Sequence, residues 1–151
     1  MSESFIRPVN MEDEKMIWEI RDHPLIRNIS TQTKKISYNQ HKVWFEDQYF
    51  GNKPNQCFVV EEENKVVGYC RFDFDAVQDC YIVSIALDPG FHGRGLGHKL
   101  LSRSLNRLQS KKNVLAKVRS DNLVSLKLFF KNHFITYQQD DQFHYLKRYA
   151  D

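Results

Sequence analysis

The chain has little of what marks most specialised protein classes. Six glycines and four prolines in 151 residues are too few for a collagen-like or low-complexity segment. Three cysteines, Cys57, Cys70 and Cys80, form an odd set without CxxC spacing. Each falls in a strand-like segment, so reduced, buried thiols are expected, not a disulfide framework. Six histidines show no HExxH or paired Cys/His spacing, and no metal is expected. The longest apolar runs, such as residues 81–87, fall far short of the roughly 20 residues that span a bilayer. Neither charge sign dominates: 22 Lys and Arg against 19 Asp and Glu leave +3. No basic run forms a nucleic-acid footprint. Residues 1–8 include Glu3 and lack the charged-then-apolar order of a secretion signal, so a cytoplasmic protein is expected.

What is present is a globular composition, 41% hydrophobic and 27% charged, at the size of a single domain, residues 1–151. Residues 4–9 read as a first strand. Met16, Ile17 and Ile20 follow with helical spacing, stopped by His23-Pro24. Leu25, Ile26 and Ile29 suggest only a short turn. Ser37 with Gln40 fits a capping box, opening a helix whose one face carries His41, Trp44, Phe45, Gln48 and Tyr49 and which ends near Gly51. Runs at 56–62, 65–76 and 79–87 read as an antiparallel meander, the first two joined by Glu63-Asn64. A glycine-rich loop then leads into Leu96, Leu100, Leu101, Leu105 and Leu108, a leucine stripe at helical period. Residues 114–118 form a strand, Ser120-Asp121 caps a helix through Lys131, and 134–137 and 143–148 close the sheet. The expectation is an α/β (α+β) protein with a mixed sheet of about seven strands and about four helices.

Gly93-Arg94-Gly95-Leu96-Gly97 lies between a strand and a helix, where unpaired amides meet the positive end of the helix dipole and favour an anion. The GxGxG spacing lacks the last step of a dinucleotide fingerprint and the Lys-Ser/Thr of a P-loop. In context, the run from Ile85 through Asp88-Pro89-Gly90-Phe91-His92 to Gly97, followed by Lys99-Leu100-Leu101, resembles the GNAT superfamily of acetyl-CoA-dependent N-acetyltransferases. The downstream segment Asn122-Leu123-Val124-Ser125 to Phe134 is similar to that superfamily's second motif.

The resemblance implies acetyl-CoA as acetyl donor. Amides of His92, Gly93, Arg94, Gly95, Leu96 and Gly97 would hold its pyrophosphate, the pantetheine would run beside the strand ending at Leu87, and Asn122 and Phe129 would face it from the opposite helix. Three positions depart from the usual pattern. His92 replaces Gln or Arg, His133 replaces Gly, and Phe129 replaces a tyrosine that would protonate the departing thiolate, with Tyr137 and Tyr145 as substitutes. A looser resemblance links residues 15–75, through Trp18 to Pro24, Ile36-Ser37, His41, Trp44-Phe45 and Gly68 to Asp73, to the GNAT subgroup acting on nucleotide-linked amino-sugars in pseudaminic-acid-like pathways. It implies Arg21, His41 and Arg71 as substrate-binding residues.

Alternation along the third strand puts Val67, Tyr69, Arg71 and Asp73 on one face and Val66, Gly68, Cys70, Phe72 and Phe74 on the other. Asp73 beside Arg71 is the candidate general base. The expected partner is a small-molecule amine, and the chain a monomer or homodimer. A protein or other small-molecule amine as acceptor, and a noncatalytic acyl-CoA-binding sensor, remain the alternatives.

Overall fold

The computed structural model describes residues 3–31 and 33–150. Seven strands form one sheet in the order β1-β2-β3-β4-β5-β7-β6. They are β1 (Ser4–Pro8), β2 (Gln56–Glu62), β3 (Lys65–Asp75), β4 (Cys80–Leu87), β5 (Val114–Arg119), β6 (Ile135–Gln139) and β7 (Phe143–Arg148). The helices are α1 (Glu14–Arg21), α2 (Pro24–Ile29), α3 (Tyr38–Phe50), α4 (Leu96–Arg107) and α5 (Leu123–Lys131). Every adjacent pair is antiparallel except β4 with β5. No helix among the described residues is long and apolar enough to cross a membrane.

Five helices stand where about four were expected. The added one is α2, read from sequence as a turn. Pro24 occupies its first position, where a missing N–H costs nothing, and the His23 side chain accepts from the Leu25 amide. Ser37 Oγ accepts from the Gln40 amide at the start of α3, as expected. The cap of α5 is Asn122, whose side chain accepts from the Ser125 amide, not Ser120-Asp121. Asp121 is drawn instead into an ion pair with Arg119 at 2.7 Å. Glu63 and Asn64 both have positive φ, 53° and 62°, the geometry of a two-residue hairpin turn that follows the strand twist.

The sheet separates two apolar layers. One holds Phe58, Val60, Cys70, Phe72, Leu100, Leu101, Phe129 and Phe134 under α4 and α5. The other holds Ile17, Ile20, Phe45, Cys57, Val59 and Tyr69 under α1 and α3. The three cysteines are free and buried. The β2–β3 register steps from Val60 opposite Gly68 to Glu61 opposite Val66, leaving Val67 as a bulged residue. The bulge corrects the expected alternation. Val66 joins Tyr69 on the α1–α3 side, while Val67 joins Cys70 on the α4–α5 side.

Candidate active site

The opening that positions the site lies between β4 and β5. Their pairing covers only Tyr81 with Val114 and Ile82 with Leu115, although β4 continues to Leu87 and β5 to Arg119. The Tyr81 amide donates to Asn113 on the β5 side, so period two turns the backbone of Val83, Ile85 and Leu87 toward the gap. Beyond Ile82 these peptide groups have no strand partner on that side among the described residues. They are left as donors and acceptors along the gap, on the strand beside which the family resemblance places the pantetheine.

At the mouth of the gap the chain turns through Asp88, whose side chain accepts from the Gly90 amide and whose own amide donates to Val67 O. Gly93 and Gly95 have φ of 77° and 74°, a conformation that side chains with a Cβ resist. Gly95 is the residue before α4. Among the described residues, the amides of Gly93, Arg94, Gly95, Leu96 and Gly97 donate to no backbone carbonyl. This concave run of N–H groups at the start of a twelve-residue helix suits a pyrophosphate. His92 turns back so that its Nε2 lies 3.0 Å from Leu87 O. The Arg94 guanidinium sits 5.0 Å from the Phe91 ring. Leu87 packs over Gly68, where a Cβ would come within 2.4 Å of Leu87 Cδ2.

Asn122 and Phe129 are more committed to the fold than the sequence suggested. The Asn122 oxygen caps α5, and its amide donates to Ile29 O at 3.1 Å, tying α2 to the far side of the gap. Phe129 is 3% exposed and meets Phe134 edge-on, ring centres 5.0 Å apart.

On the α1–α3 face, the structure brings Arg21, His41, Arg71 and Asp73 together around Trp44. The Arg21 and Arg71 guanidinium carbons lie 4.0 and 5.0 Å from the Trp44 ring centre. Arg71 donates to Asp73 Oδ2, and Tyr49 Oη donates to Asp73 Oδ1 at 2.7 Å. The Nε of Arg71 is shut off from water with no hydrogen-bond partner among the described residues. Arg21 has no carboxylate partner among the described residues. Its contact is His41 Nδ1 at 3.3 Å. Burial, reinforced by the Arg71 charge, lowers the Arg21 pKa.

His41 itself is fully buried. Its Nε2 lies 2.9 Å from Glu14 O, so that nitrogen carries the proton and Nδ1 accepts from Arg21. Burial, together with the Arg21 and Arg71 charges and despite the Glu14 bond, pushes its pKa down to about 4. His41 holds Arg21 in place, leaving its ring no exposed edge. Tyr49 and Trp44 entered the sequence reading only as packing residues. Their links to Asp73 and the arginines join elements 20 or more residues apart, which local patterns do not report.

The two faces meet at β4. Asp73 is opposite Ile82, Arg71 opposite Ser84, and Tyr69 opposite Ala86, so the arginine cluster flanks the stretch of β4 that has parted from β5. Tyr137 and Tyr145 lie on the terminal hairpin with ring centres 6.5 Å apart. Tyr137 is exposed, with Lys147 over its ring. No three His, Cys, Asp or Glu side chains gather as metal ligands among the described residues.

Comparison with known proteins agrees with this geometry. The chain is 27% identical over 141 residues to acetyltransferase PseH of Campylobacter jejuni subsp. jejuni serotype O:23/36 (strain 81-176), covering 91% of this chain and 87% of that one. It is 30% identical over 145 residues to the L-amino acid N-acyltransferase MnaT of Escherichia coli (strain K12), covering 91% and 83%. The solved structure of yncA, a putative acetyltransferase from Salmonella typhimurium with its cofactor acetyl-CoA, superposes with a TM-score of 0.81 at 23% identity, over 99% of this chain and 95% of that one. Residues 23–134 match the acetyltransferase (GNAT) family. The chain is thus an acetyl-CoA-dependent enzyme that belongs to the GNAT family of acetyltransferases.

Proposed function

We propose that the acceptor is a small anionic amine, a nucleotide-linked amino-sugar, whose amino group attacks the acetyl-CoA thioester directly without a covalent enzyme intermediate. The observation that carries this reading is the charge balance on the α1–α3 face: two guanidiniums, Arg21 and Arg71, lean on one indole with a single paired carboxylate, Asp73. One positive charge is left over, and a half-buried excess cation favours a ligand anion, strongly so where two planar forks converge. The diphosphate of a nucleotide-sugar supplies that anion. Arg21 and Arg71 would hold it, His41 would fix Arg21, and the sugar amine would lie toward Ser84 and Asp73.

Asp73 is the proposed general base, directly or through a water. Each of its oxygens already accepts one hydrogen bond, and a carboxylate has about four lone-pair sites, so an amine N–H can add without displacing Tyr49 or Arg71. The outward amides of Ile85 and Leu87 would polarise the thioester carbonyl, the role for which fixed donors in a water-poor gap are effective. With Phe129 lacking a hydroxyl, solvent would protonate the departing thiolate.

A second reading, an α-amino acid acceptor, is favoured by the compactness of the same cation pair, which also matches one carboxylate. MnaT, at 30% identity, carries that substrate class in its name. A thiol-release assay with acetyl-CoA against nucleotide-linked amino-sugars, α-amino acids, polyamines and peptides separates these readings. The first predicts turnover highest on the nucleotide-sugars. It also predicts that Arg71→Ala raises the acceptor KM at least tenfold while leaving the acetyl-CoA KM within about twofold. Preference for peptides or polyamines would overturn both readings. Acetyl-CoA binding without turnover on any amine would leave the chain a sensor.

A further inference from the structure

The cationic face of the sheet does not end at Arg71. Arg71 pairs with Ser84 across β3 and β4. The parallel pairing of Ile82 with Leu115, carried two residues on, sets Ser84 level with Lys117, although the strands have parted there. Lys117 in turn pairs with Tyr145 of β7, and Arg119 with Phe143. Val114, Ala116 and Val118 of β5 and Leu146 of β7 point into the α4–α5 core, so alternation turns Lys117, Phe143 and Tyr145 to the face that carries Arg71. Lys117 is exposed between buried neighbours, with its Nζ 4.1 Å from the Phe143 ring centre and 5.8 Å from that of Tyr145. Asp140, whose carboxylate feels the Lys117 charge, is committed to the β6–β7 turn, accepting from the Gln142 and Phe143 amides. Phe143 also lines a cavity of ≈ 430 Å³, together with Thr31 and Thr33 after α2 and the β6–β7 turn. Of the charged residues that line it, Arg119 and Asp121 pair with each other at 2.7 Å, which leaves the exposed Asp141.

We propose that Lys117 and this cavity form the nucleoside end of the acceptor site, an inference that rests on the nucleotide-linked acceptor put forward above. The base would stack on the Phe143 ring, and the Asp141 carboxylate would accept from the ribose hydroxyls. Lys117 would leave the ring, a weak contact at an exposed site, for the phosphate next to the ribose. The cavity's own charge argues for this order. With Arg119 neutralised and Asp141 unpaired, its interior disfavours an anion and suits a neutral polar group with a flat face, while the free cation stands outside it on the way to Arg71. The span agrees. Three strand steps of ~4.8 Å set about 14 Å between Arg71 and the β7 row. A lone phosphate or carboxylate on Arg71 falls short of that distance, whereas a diphosphate followed by a ribose and a base covers it. An α-amino acid would leave both Lys117 and the cavity unused, so the inference also separates the two acceptor readings.

The test uses the full chain saturated with coenzyme A, which keeps nucleotides off the donor side. Calorimetry compares the diphosphates of uridine, cytidine, guanosine and thymidine with methyl diphosphate, which carries the charge without ribose or base. In the wild type at least one nucleoside diphosphate should bind about tenfold or more tightly than methyl diphosphate, the scale of one base-to-ring stack. Phe143→Leu keeps an apolar side chain in β7 but no π face, and should remove most of that advantage while methyl diphosphate binding holds within about twofold. Lys117 and Asp141 are exposed, so their replacement leaves the fold intact even if Phe143→Leu does not. Lys117→Ala should weaken both kinds of ligand, and Asp141→Asn the nucleoside diphosphates alone. Equal binding of methyl and nucleoside diphosphates overturns the inference and leaves the arginine cluster as the anion site. A nucleoside advantage that survives all three substitutions overturns it as well. If neither kind of ligand binds, the nucleotide-linked acceptor itself falls, and this inference with it.

Discussion

Asp73 receives hydrogen bonds from Tyr49 and Arg71, and these bonds decide how its removal should read. Asp73→Asn keeps one acceptor oxygen and the shape of the side chain but removes the charge opposite Arg71, leaving both guanidiniums, Arg21 and Arg71, without an anion. If Asp73 takes the proton of the attacking amine, kcat falls by about 10²–10⁴-fold, the usual range for one general base, and the loss shrinks as pH rises and more amine arrives neutral. If Asp73 only orients Arg71, the acceptor KM rises and kcat moves little. The pH profile of kcat/KM in the Asn variant distinguishes the two, and an unchanged profile would place the base elsewhere. Phe129 belongs to the same scale. Its ring packs edge-on against Phe134 in the core, so the residue that replaces the expected tyrosine serves the fold as a hydrophobic contact.

The glycine loop and α4 act as one element, and Gly97 offers a cleaner probe of it than Gly93 or Gly95. At the latter two, any side chain meets a φ above 70°, which costs about 1–2 kcal/mol regardless of ligand. A Cβ on Gly97 would lie 3.6 Å from Leu128 and Leu87, an ordinary contact in a helical residue, so Gly97→Ala should fold at least as stably as the wild type. On the proposed reading, in which the pyrophosphate packs against the bare Gly97 backbone, acetyl-CoA affinity should nevertheless fall about tenfold or more. Calorimetry giving unchanged affinity would remove the pyrophosphate from this loop. This element was legible in the sequence because turn chemistry and helix periodicity are local. The limits of β2 and β7 were legible for the same reason. The bulge at Val67, the parting of β4 from β5 after Ile82, and the Tyr49–Asp73 and Arg21–His41 contacts were not. Each depends on strand register or on helix packing between distant segments, and a one-residue register step leaves no mark on either strand's own pattern.

Across the whole molecule the sheet separates the glycine loop and α4–α5 from the arginine cluster on the α1–α3 side, and the proposed reading puts acetyl-CoA on the first, the acceptor on the second and their meeting at the parted end of β4. The α1–α3 side depends on His41 staying neutral, since its Nδ1 must accept from Arg21 while Arg71 stands nearby. Its pKa of about 4 in the folded chain lies below the ordinary 6.5 expected when unfolded. The unfolded chain therefore binds the proton first as pH falls. The stabilisation is complete above about pH 6.5, declines through the interval below it, and is gone once pH has fallen past about 4. The full difference is on the order of 3 kcal/mol, a large share of a typical 5–15 kcal/mol domain stability. Urea unfolding at pH 7 and 4.5 should show the wild type losing about 2 kcal/mol more than His41→Gln, which keeps a donor and an acceptor but does not titrate. Because protonated His41 would repel Arg21, the acceptor KM of the wild type should rise only as pH approaches about 4, where the folded His41 gains its proton, while acetyl-CoA affinity, assigned to the other side of the sheet, holds. An equal loss of stability in both proteins, or a parallel decline in both substrate affinities, would mean that His41 does not govern this face.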